Sequence, residues 1–131
     1  MVIDTSALIA ILFAEPESRR MVTAIVREQS RLLPAPAFME ASAVMIARKG
    51  PQGAIAIDAL LQRLDIDVVG MSAEAAVLAR DAYAHFGRGV GSPGVLNFGD
   101  CQCYGVSKSA GQPLLFKGDD FAATDVDAAL Y

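Results

Sequence analysis

Four separate stretches of the sequence carry acidic residues whose carboxylates could together bind a divalent cation. Asp4 follows an opening apolar run, Glu40 stands alone in a stretch of small and apolar residues, and Asp100 follows a glycine-rich segment. Asp119 and Asp120 follow a second apolar run near the end of the chain. Carboxylate oxygens are hard ligands that select Mg²⁺ or Mn²⁺. Convergent carboxylates repel one another, and a divalent cation offsets that repulsion directly.

The first of these acids lies at a junction between two predicted elements. Residues 1–3 are apolar and predict a short buried strand, and the apolar residues after Ala7 recur at helical spacing. We expect Thr5 or Ser6 to be the N-cap of that helix. Asp4 then lies at the carboxyl end of the strand, where ligands collect in open α/β sheets.

The rest of the chain alternates between strand and helix patterns. Strands are predicted at Arg31–Pro34, Ile66–Val69 and Pro113–Phe116, with a last edge strand at Asp125–Val126. Helices are predicted at about 37–49, 52–64 and 98–110, with a further helix capped by Ser72. This alternation predicts βαβ units, a mostly parallel sheet and an α/β fold.

The predicted elements bring the acids to one edge of the sheet. Glu40 is expected in the first turn of a mostly buried helix, where it needs a partner, and Asp100 in the first turn of another. No Lys or Arg is expected to converge with them. A simpler alternative stays open for each residue, because acids in a first helical turn also stabilise the helix dipole. Asp119 and Asp120, taken alone, are typical of a turn.

Composition sets the class of protein. The chain has 131 residues, of which 53% are hydrophobic, so we expect one domain over residues 1–131 with a substantial core. The net charge of −4 argues weakly against a nucleic-acid binder, unless the acids bind cations. Cys101 and Cys103 are too close in sequence to bond easily, which predicts a reduced, cytoplasmic protein. No apolar run is long enough to predict a membrane helix.

Other motifs indicate less. The two cysteines lack a second pair and a suitably spaced histidine, so we expect no zinc site. The glycines of segment 85–94 resemble a phosphate cradle, but no Lys-Ser/Thr follows them, and a flexible loop is the better interpretation. The arginines are scattered, and those of residues 19–31 are expected to form a solvated helix face, with contact to nucleic acid as the alternative.

Taken together, the motifs resemble a PIN domain, and more narrowly the VapC-type toxin ribonucleases of bacterial type II toxin–antitoxin pairs. The matching segments span the chain and are residues 1–7, Glu15-Pro16-Glu17, Glu40, Leu96–Cys101, Pro113–Phe121 and Thr124–Val126. The resemblance implies a three-layer α/β/α fold with a central, mostly parallel sheet. It also implies catalytic metal ligands, foremost Asp4 and Asp100, then Glu40, with Asp120 favoured over Asp119.

The implied activity is that of a hydrolase acting on RNA phosphodiester bonds. Such enzymes use Mg²⁺ or Mn²⁺, in one or two ions, to activate a water and polarise the scissile phosphate. We expect products with a 5′-phosphate and a 3′-hydroxyl. Family hydroxyls near the first acid correspond to Thr5 or Ser6, which would orient Asp4 or a water.

The resemblance further implies a homodimer and a cognate VapB-like antitoxin whose C-terminal segment covers the acidic groove. Faces around Ile9, Leu12, Ala54 and Leu61 are candidates for that groove, although core packing explains them equally well. One alternative is a non-catalytic PIN-like binding module that forms part of an antitoxin/DNA repressor complex. Another is an aspartyl-phosphate phosphatase, which usually needs a second Asp where this chain has Ser6.

Overall fold

The computed structural model describes residues 1–131 and contains four short strands and six helices. The strands are β1 (Val2–Ile3), β2 (Leu32–Pro34), β3 (Asp67–Val69) and β4 (Leu114–Leu115). The helices are α1 (Thr5–Leu12), α2 (Ser18–Arg27), α3 (Ala35–Lys49), α4 (Pro51–Leu64), α5 (Ala73–Phe86) and α6 (Phe98–Ala110). A short 3₁₀ turn follows at Phe121–Ala123. None of the helices combines the length and the apolar character needed to cross a lipid bilayer.

The strands form one sheet in the order β3-β2-β1-β4, and every pairing is parallel. The predicted α/β fold with a parallel sheet is therefore confirmed. Val2 lies opposite both Leu32 and Leu114, so β1 occupies the interior of the sheet. All four carboxyl ends consequently meet at one edge. The edge strand predicted at Asp125–Val126 is wrong, because the chain instead makes a single parallel bridge between Leu114 and Ala128.

The sheet is buried between helices. Val2, Ile3, Leu33, Leu114 and Leu115 are completely buried, as expected for parallel strands covered on both faces. Helix α5 packs along α6, and α1 contacts α2, α3 and α4. The termination of α6 at Ala110 agrees with the sequence prediction and is followed by Gly111 in a left-handed conformation.

Two expectations about helix starts are wrong. The N-cap of α1 is Asp4 itself, not Thr5 or Ser6, because the Asp4 carboxylate accepts the Ser6 N–H. Helix α3 begins at Ala35, so Glu40 lies in its second turn. Pro36 lies in the first turn of α3. Backbone N–H groups in a first turn have no partner within the helix, so a proline, which lacks this group, is tolerated there and explains the earlier start.

Helix α3 is also less buried than its composition suggests. Only Ala37, Ala41 and Met45 are buried, one residue per turn, and Glu40 is exposed. The small residues on the other faces cost little when exposed to water, so a high content of Ala and Ser does not imply burial on every side.

Close packing of α5 on α6 predicts a specific sensitivity at Gly105. A Cβ added there would lie 2.2 Å from the Ala75 carbonyl oxygen. We expect Gly105→Ala to lower the free energy of unfolding by about 1–3 kcal/mol, although alanine in a helix is intrinsically favoured by about 1 kcal/mol. Urea unfolding measures this change.

The matched control is Gly70→Ala, since a Cβ at Gly70 meets no atom within 4 Å. That variant is expected to stay within about 0.5 kcal/mol of the wild type. Equal urea midpoints for Gly105→Ala and Gly70→Ala would contradict the packing assignment.

Candidate metal site

Asp4 is the most buried of the predicted site residues, at 3% exposure. Its Oδ2 accepts two hydrogen bonds, from the Ser6 N–H at 2.8 Å and from the Ser6 hydroxyl at 2.6 Å. The Ser6 hydroxyl in turn accepts the backbone N–H of Lys117 at 2.9 Å, just beyond β4. Ser6 therefore orients Asp4, as one of the two predicted hydroxyls, and connects it to the neighbouring strand.

Glu40 reaches the same edge from α3. Its Oε2 accepts a hydrogen bond from the Thr5 hydroxyl at 2.7 Å, so the second predicted hydroxyl orients Glu40 and not Asp4. The same oxygen lies 3.1 Å from the position that a Cβ on Gly99 would take. Glu40 thus stands beside both the start of α1 and the first turn of α6.

Asp100 occupies the first turn of α6, as predicted, and forms a capping box with Asn97. The Asp100 Oδ2 accepts the Asn97 N–H at 2.7 Å, and the Asn97 Oδ1 accepts the Asp100 N–H at 2.8 Å. The helix-capping interpretation that the sequence left open is therefore real for this residue.

Capping does not remove the electrostatic cost at Asp100. Burial raises the pKa of its carboxyl to about 6, the Asn97 N–H opposes that rise, and the charges of Asp4 and Asp120 add to it. Arg88 lowers the pKa of the same carboxyl. The fold thus brings Asp4, Asp100 and Asp120 within electrostatic reach of one another. We call Asp4, Glu40, Asp100 and Asp120 the acidic cluster.

The expectation that no basic residue converges on these acids is wrong. Arg88 Nη2 donates to Asp120 Oδ2 at 2.7 Å, and both side chains are about half exposed. Arg88 belongs to the loop that was predicted to be flexible, which is closed by the Gly91 N–H to Gly87 carbonyl bond at 2.8 Å. The sequence analysis did not single out Arg88. Its position between Gly87 and Gly89, in the loop that leads into the helix of Asp100, could have indicated it.

A second missed cation organises the neighbouring turn. Lys117 pairs with Glu15 and lies 3.3 Å from Glu17 Oε2, so it fixes the Glu-Pro-Glu segment against the end of β4. The side chain of Asp120 contacts Arg88, and its charge raises the pKa of Asp100. Asp119 instead accepts the Ala122 N–H through its backbone carbonyl.

The cluster contains donors that suit a hard cation, although they are not grouped around one point. No three Asp, Glu, His or Cys side chains stand where a single ion would contact them all, and in this arrangement Asp120 is paired with Arg88. The chemistry of the donor set fits Mg²⁺ or Mn²⁺ because every candidate ligand is a carboxylate. Three of the four are already fixed by hydrogen bonds from Ser6, Thr5 and Asn97.

The cysteines beside the cluster stay protonated. Burial and the nearby charges of Asp4 and Asp100 raise the pKa of the Cys103 thiol well above its usual value. Burial, with the charge of Asp100, raises the pKa of Cys101 to about 11. Because the thiolate is the nucleophilic form of cysteine, these raised pKa values argue against either cysteine as a nucleophile at neutral pH. Both are free and buried.

Comparison with known proteins supports the architecture. Residues 1–127 match the sequence model of the PIN domain. The chain is 44% identical over 126 residues to ribonuclease VapC30 of Mycobacterium tuberculosis, covering 96% of this chain and 95% of that protein. It is 41% identical to ribonuclease VapC of Mycolicibacterium smegmatis over 128 residues, or 98% of each chain.

Solved structures share the fold at low sequence identity. VapBC2 from Rickettsia felis, bound to a DNA fragment from its promoter, has a TM-score of 0.78 at 10% identity, covering 97% of this chain and 94% of the other. VapC20 of Mycobacterium tuberculosis, described as a sarcin-ricin loop cleaving toxin, has a TM-score of 0.75 at 16% identity, covering 95% of each chain. The predicted three-layer α/β/α fold and the resemblance to VapC toxins are confirmed.

The raised pKa of Asp100 predicts a pH-dependent penalty in metal-free protein. Below about pH 4 the carboxyl is protonated in both folded and unfolded chains, so it costs nothing. Between about pH 4 and 6 the unfolded chain ionises first, so stability falls as pH rises, and the full penalty remains above pH 6. In EDTA, Asp100→Asn should therefore raise the free energy of unfolding at pH 8 by about 1 kcal/mol, a figure discounted for solvent exposure.

The measurement is urea unfolding of wild type and Asp100→Asn at pH 8 and pH 4, both in EDTA. The gain from the substitution should disappear at pH 4. An equal effect at both pH values would show that the charge of Asp100 is not the source of the difference.

Proposed function

This chain belongs to the PIN domain family, and we propose that it is a Mg²⁺-dependent endoribonuclease toxin of a type II toxin–antitoxin pair. The observation that carries the proposal is the acidic cluster, in which four carboxylates from distant parts of the chain lie along the carboxyl edge of a parallel sheet. The relatives named ribonucleases support the choice of RNA as substrate.

In this proposal the acidic cluster binds the cation, and the neighbouring hydroxyl and N–H groups orient its carboxylates. Asp4, Glu40, Asp100 and Asp120 are the metal ligands. A divalent ion, once bound, supplies a Lewis acid for the phosphodiester and lowers the pKa of a water. The chain's own contribution is orientation: Ser6 fixes Asp4, Thr5 fixes Glu40, and the Asn97 N–H fixes Asp100.

Neither the two cysteines nor the single histidine is favoured as an alternative nucleophile, and the hydroxyls of Thr5 and Ser6 donate to Glu40 and Asp4. The thiols of Cys101 and Cys103 have raised pKa values. His85, which lies at the end of α5, uses its Nδ1 in a contact of 2.8 Å with the Asp81 carbonyl oxygen. Hydrolysis by an activated water is therefore the mechanism that these residues favour, with a 5′-phosphate and a 3′-hydroxyl as products.

The partners in this proposal are a VapB-like antitoxin and a second copy of the chain. Two structural neighbours are toxin–antitoxin complexes: VapBC2, and a complex from Klebsiella pneumoniae with a TM-score of 0.68 at 17% identity, covering 95% of this chain and 92% of that one. Of the residues expected to line the antitoxin groove, Leu61 is buried in the core. Ile9, Leu12 and Ala54 are half-buried and stay candidates. The buried free thiols support the predicted cytoplasmic location.

A non-catalytic binding module is the second candidate, and one observation favours it. Arg88 neutralises Asp120, so part of the repulsion in the acidic cluster is already offset without a metal ion. The aspartyl-phosphate alternative has less support, because Ser6 stands where that chemistry needs an acid and its hydroxyl donates to Asp4.

Cleavage of end-labelled tRNA, rRNA and mRNA fragments separates these candidates. With Mg²⁺ or Mn²⁺ the wild type should cut at least one RNA, and EDTA should stop cleavage. Asp4→Asn and Asp100→Asn should each lower the rate by more than about 100-fold, since losing even an outer partner of a metal ligand costs about 10–100-fold. Binding of the antitoxin should persist in both variants.

The matched control is Glu74→Gln, which removes an acid from the first turn of α5, a helix position comparable to that of Asp100. Its cleavage rate should equal that of the wild type. Undiminished cleavage by both aspartate variants would refute the ligand assignment. If folded wild-type protein with Mg²⁺ cuts none of these RNAs, the result would favour the non-catalytic binding module.

A further inference from the structure

Arg88 is the one basic side chain that is ion-paired within the acidic cluster. Of the ion pairs in the chain, only Arg88–Asp120 includes a cluster residue; Lys117 pairs with Glu15 and Glu17, and Lys108 pairs with Asp125. The remaining pairs involve the N-terminus and the neighbours Arg80 and Asp81. A single guanidinium is therefore placed among carboxylates that the proposed function assigns to a cation.

The position of Arg88 is fixed by its own backbone and stem. The Arg88 N–H donates to the Leu96 carbonyl at 2.9 Å, and the Arg88 Nε donates to the Val95 carbonyl at 2.9 Å. The residues that accept these bonds lead directly into Asn97, which caps the helix of Asp100. The guanidinium is thus anchored at Nε, while Nη2 reaches Asp120 across 32 positions of sequence.

The Arg88 guanidinium has N–H donors that bind no other group of the chain. It has five N–H donors, and within the chain it bonds only through Nε to Val95 and Nη2 to Asp120. Its side chain is 56% exposed. Planar, always charged and accessible, it matches the geometry of a phosphate group.

We propose that Arg88 pairs with Asp120 when no divalent cation is bound and contacts a backbone phosphate of the RNA when one is. The proposal rests on the proposed function. A cation that takes Asp120 as a ligand competes with Arg88 for the same carboxylate, so the guanidinium becomes free beside the reaction site. A phosphate approaching four carboxylates meets strong repulsion, and Arg88 supplies positive charge at that place.

The competing explanation is that Arg88 only closes the loop between α5 and α6. In that case its contacts with Val95 and Leu96 carry its role, and the ion pair with Asp120 is a surface contact worth little. The two explanations differ in what the loss of the charge does to metal affinity and to RNA affinity.

The first test is calorimetric titration of Arg88→Met with Mn²⁺ in the absence of RNA. Removing a unit charge a few ångströms from a divalent ion near the surface should tighten Mn²⁺ binding by about tenfold. The control is Arg80→Met, which removes another exposed arginine, one whose ion-pair partner is the adjacent Asp81. Unchanged or weaker Mn²⁺ binding by Arg88→Met would overturn the competition for Asp120.

The second test measures the affinity for a fluorescein-labelled single-stranded oligoribonucleotide, with Ca²⁺ replacing Mg²⁺ and intact RNA confirmed on a gel. Arg88→Met should weaken binding by about tenfold and lower the slope of log Kd against log salt by about 0.7, the value for one phosphate contact. Arg80→Met should change neither. An unchanged slope for Arg88→Met would overturn the phosphate contact.

Thermal melting establishes whether each variant folds. If Arg88→Met does not fold, Arg88→Lys replaces it in both tests. The lysine retains the charge but loses the planar fork, so Mn²⁺ affinity should stay near that of the wild type while RNA affinity falls. If wild-type protein neither binds nor cuts RNA, the proposed function fails and the phosphate contact with it. The Mn²⁺ titration then still decides whether Arg88 competes for Asp120.

Discussion

Mutual repulsion among carboxylates is the constraint on which the arrangement of this protein depends. Parallel pairing sends every strand toward the same edge, and the segments that leave that edge carry Asp4, Asp100 and Asp120. The cost is visible at Asp100, where burial is the largest cause of the raised pKa and the charges of Asp4 and Asp120 add to it. A fold that retains such a cost needs groups that offset it, and the neighbouring polar groups are arranged to do so.

Three kinds of group offset the repulsion in the chain itself. Backbone N–H groups at the starts of α1 and α6 donate to Asp4 and Asp100. Hydroxyls of Ser6 and Thr5 donate to Asp4 and Glu40. The guanidinium of Arg88 neutralises Asp120. Helix capping and metal binding are therefore compatible roles, because each capping bond occupies one carboxylate oxygen and leaves the rest of the donor set for a cation.

Much of this arrangement follows from local sequence patterns. The apolar runs located the strands to within a residue or two, and residues 98–110 were predicted as the helix that the structure contains. The rule that parallel strands end together brought distant acids to one edge without knowledge of any contact. Glu40 was misplaced by a turn because the helix starts with the prolines, and the small side chains around it were taken for a buried surface.

The contacts between distant loops were beyond the reach of such patterns. The partner of Asp120 lies 32 positions away in a loop, and the backbone N–H that fixes Ser6 lies 111 positions away. No periodicity or spacing encodes such a pair, because it depends on the path of an irregular loop after the sheet has formed. This is why the position of Asp4 at the end of β1 was predicted correctly while Arg88 was missed. The N-cap of α1 was given to the wrong residue for a local reason, because the Asp4 carboxylate accepts the Ser6 N–H two positions along the chain.

Binding of a divalent cation by these carboxylates is tested most directly by anomalous diffraction from crystals equilibrated with Mn²⁺. We expect an anomalous peak in contact with the carboxylates of Asp4 and Asp100, with Asp120 released from Arg88. A structure at saturating Mn²⁺ that shows no peak at these carboxylates, with the Arg88–Asp120 pair intact, would contradict it.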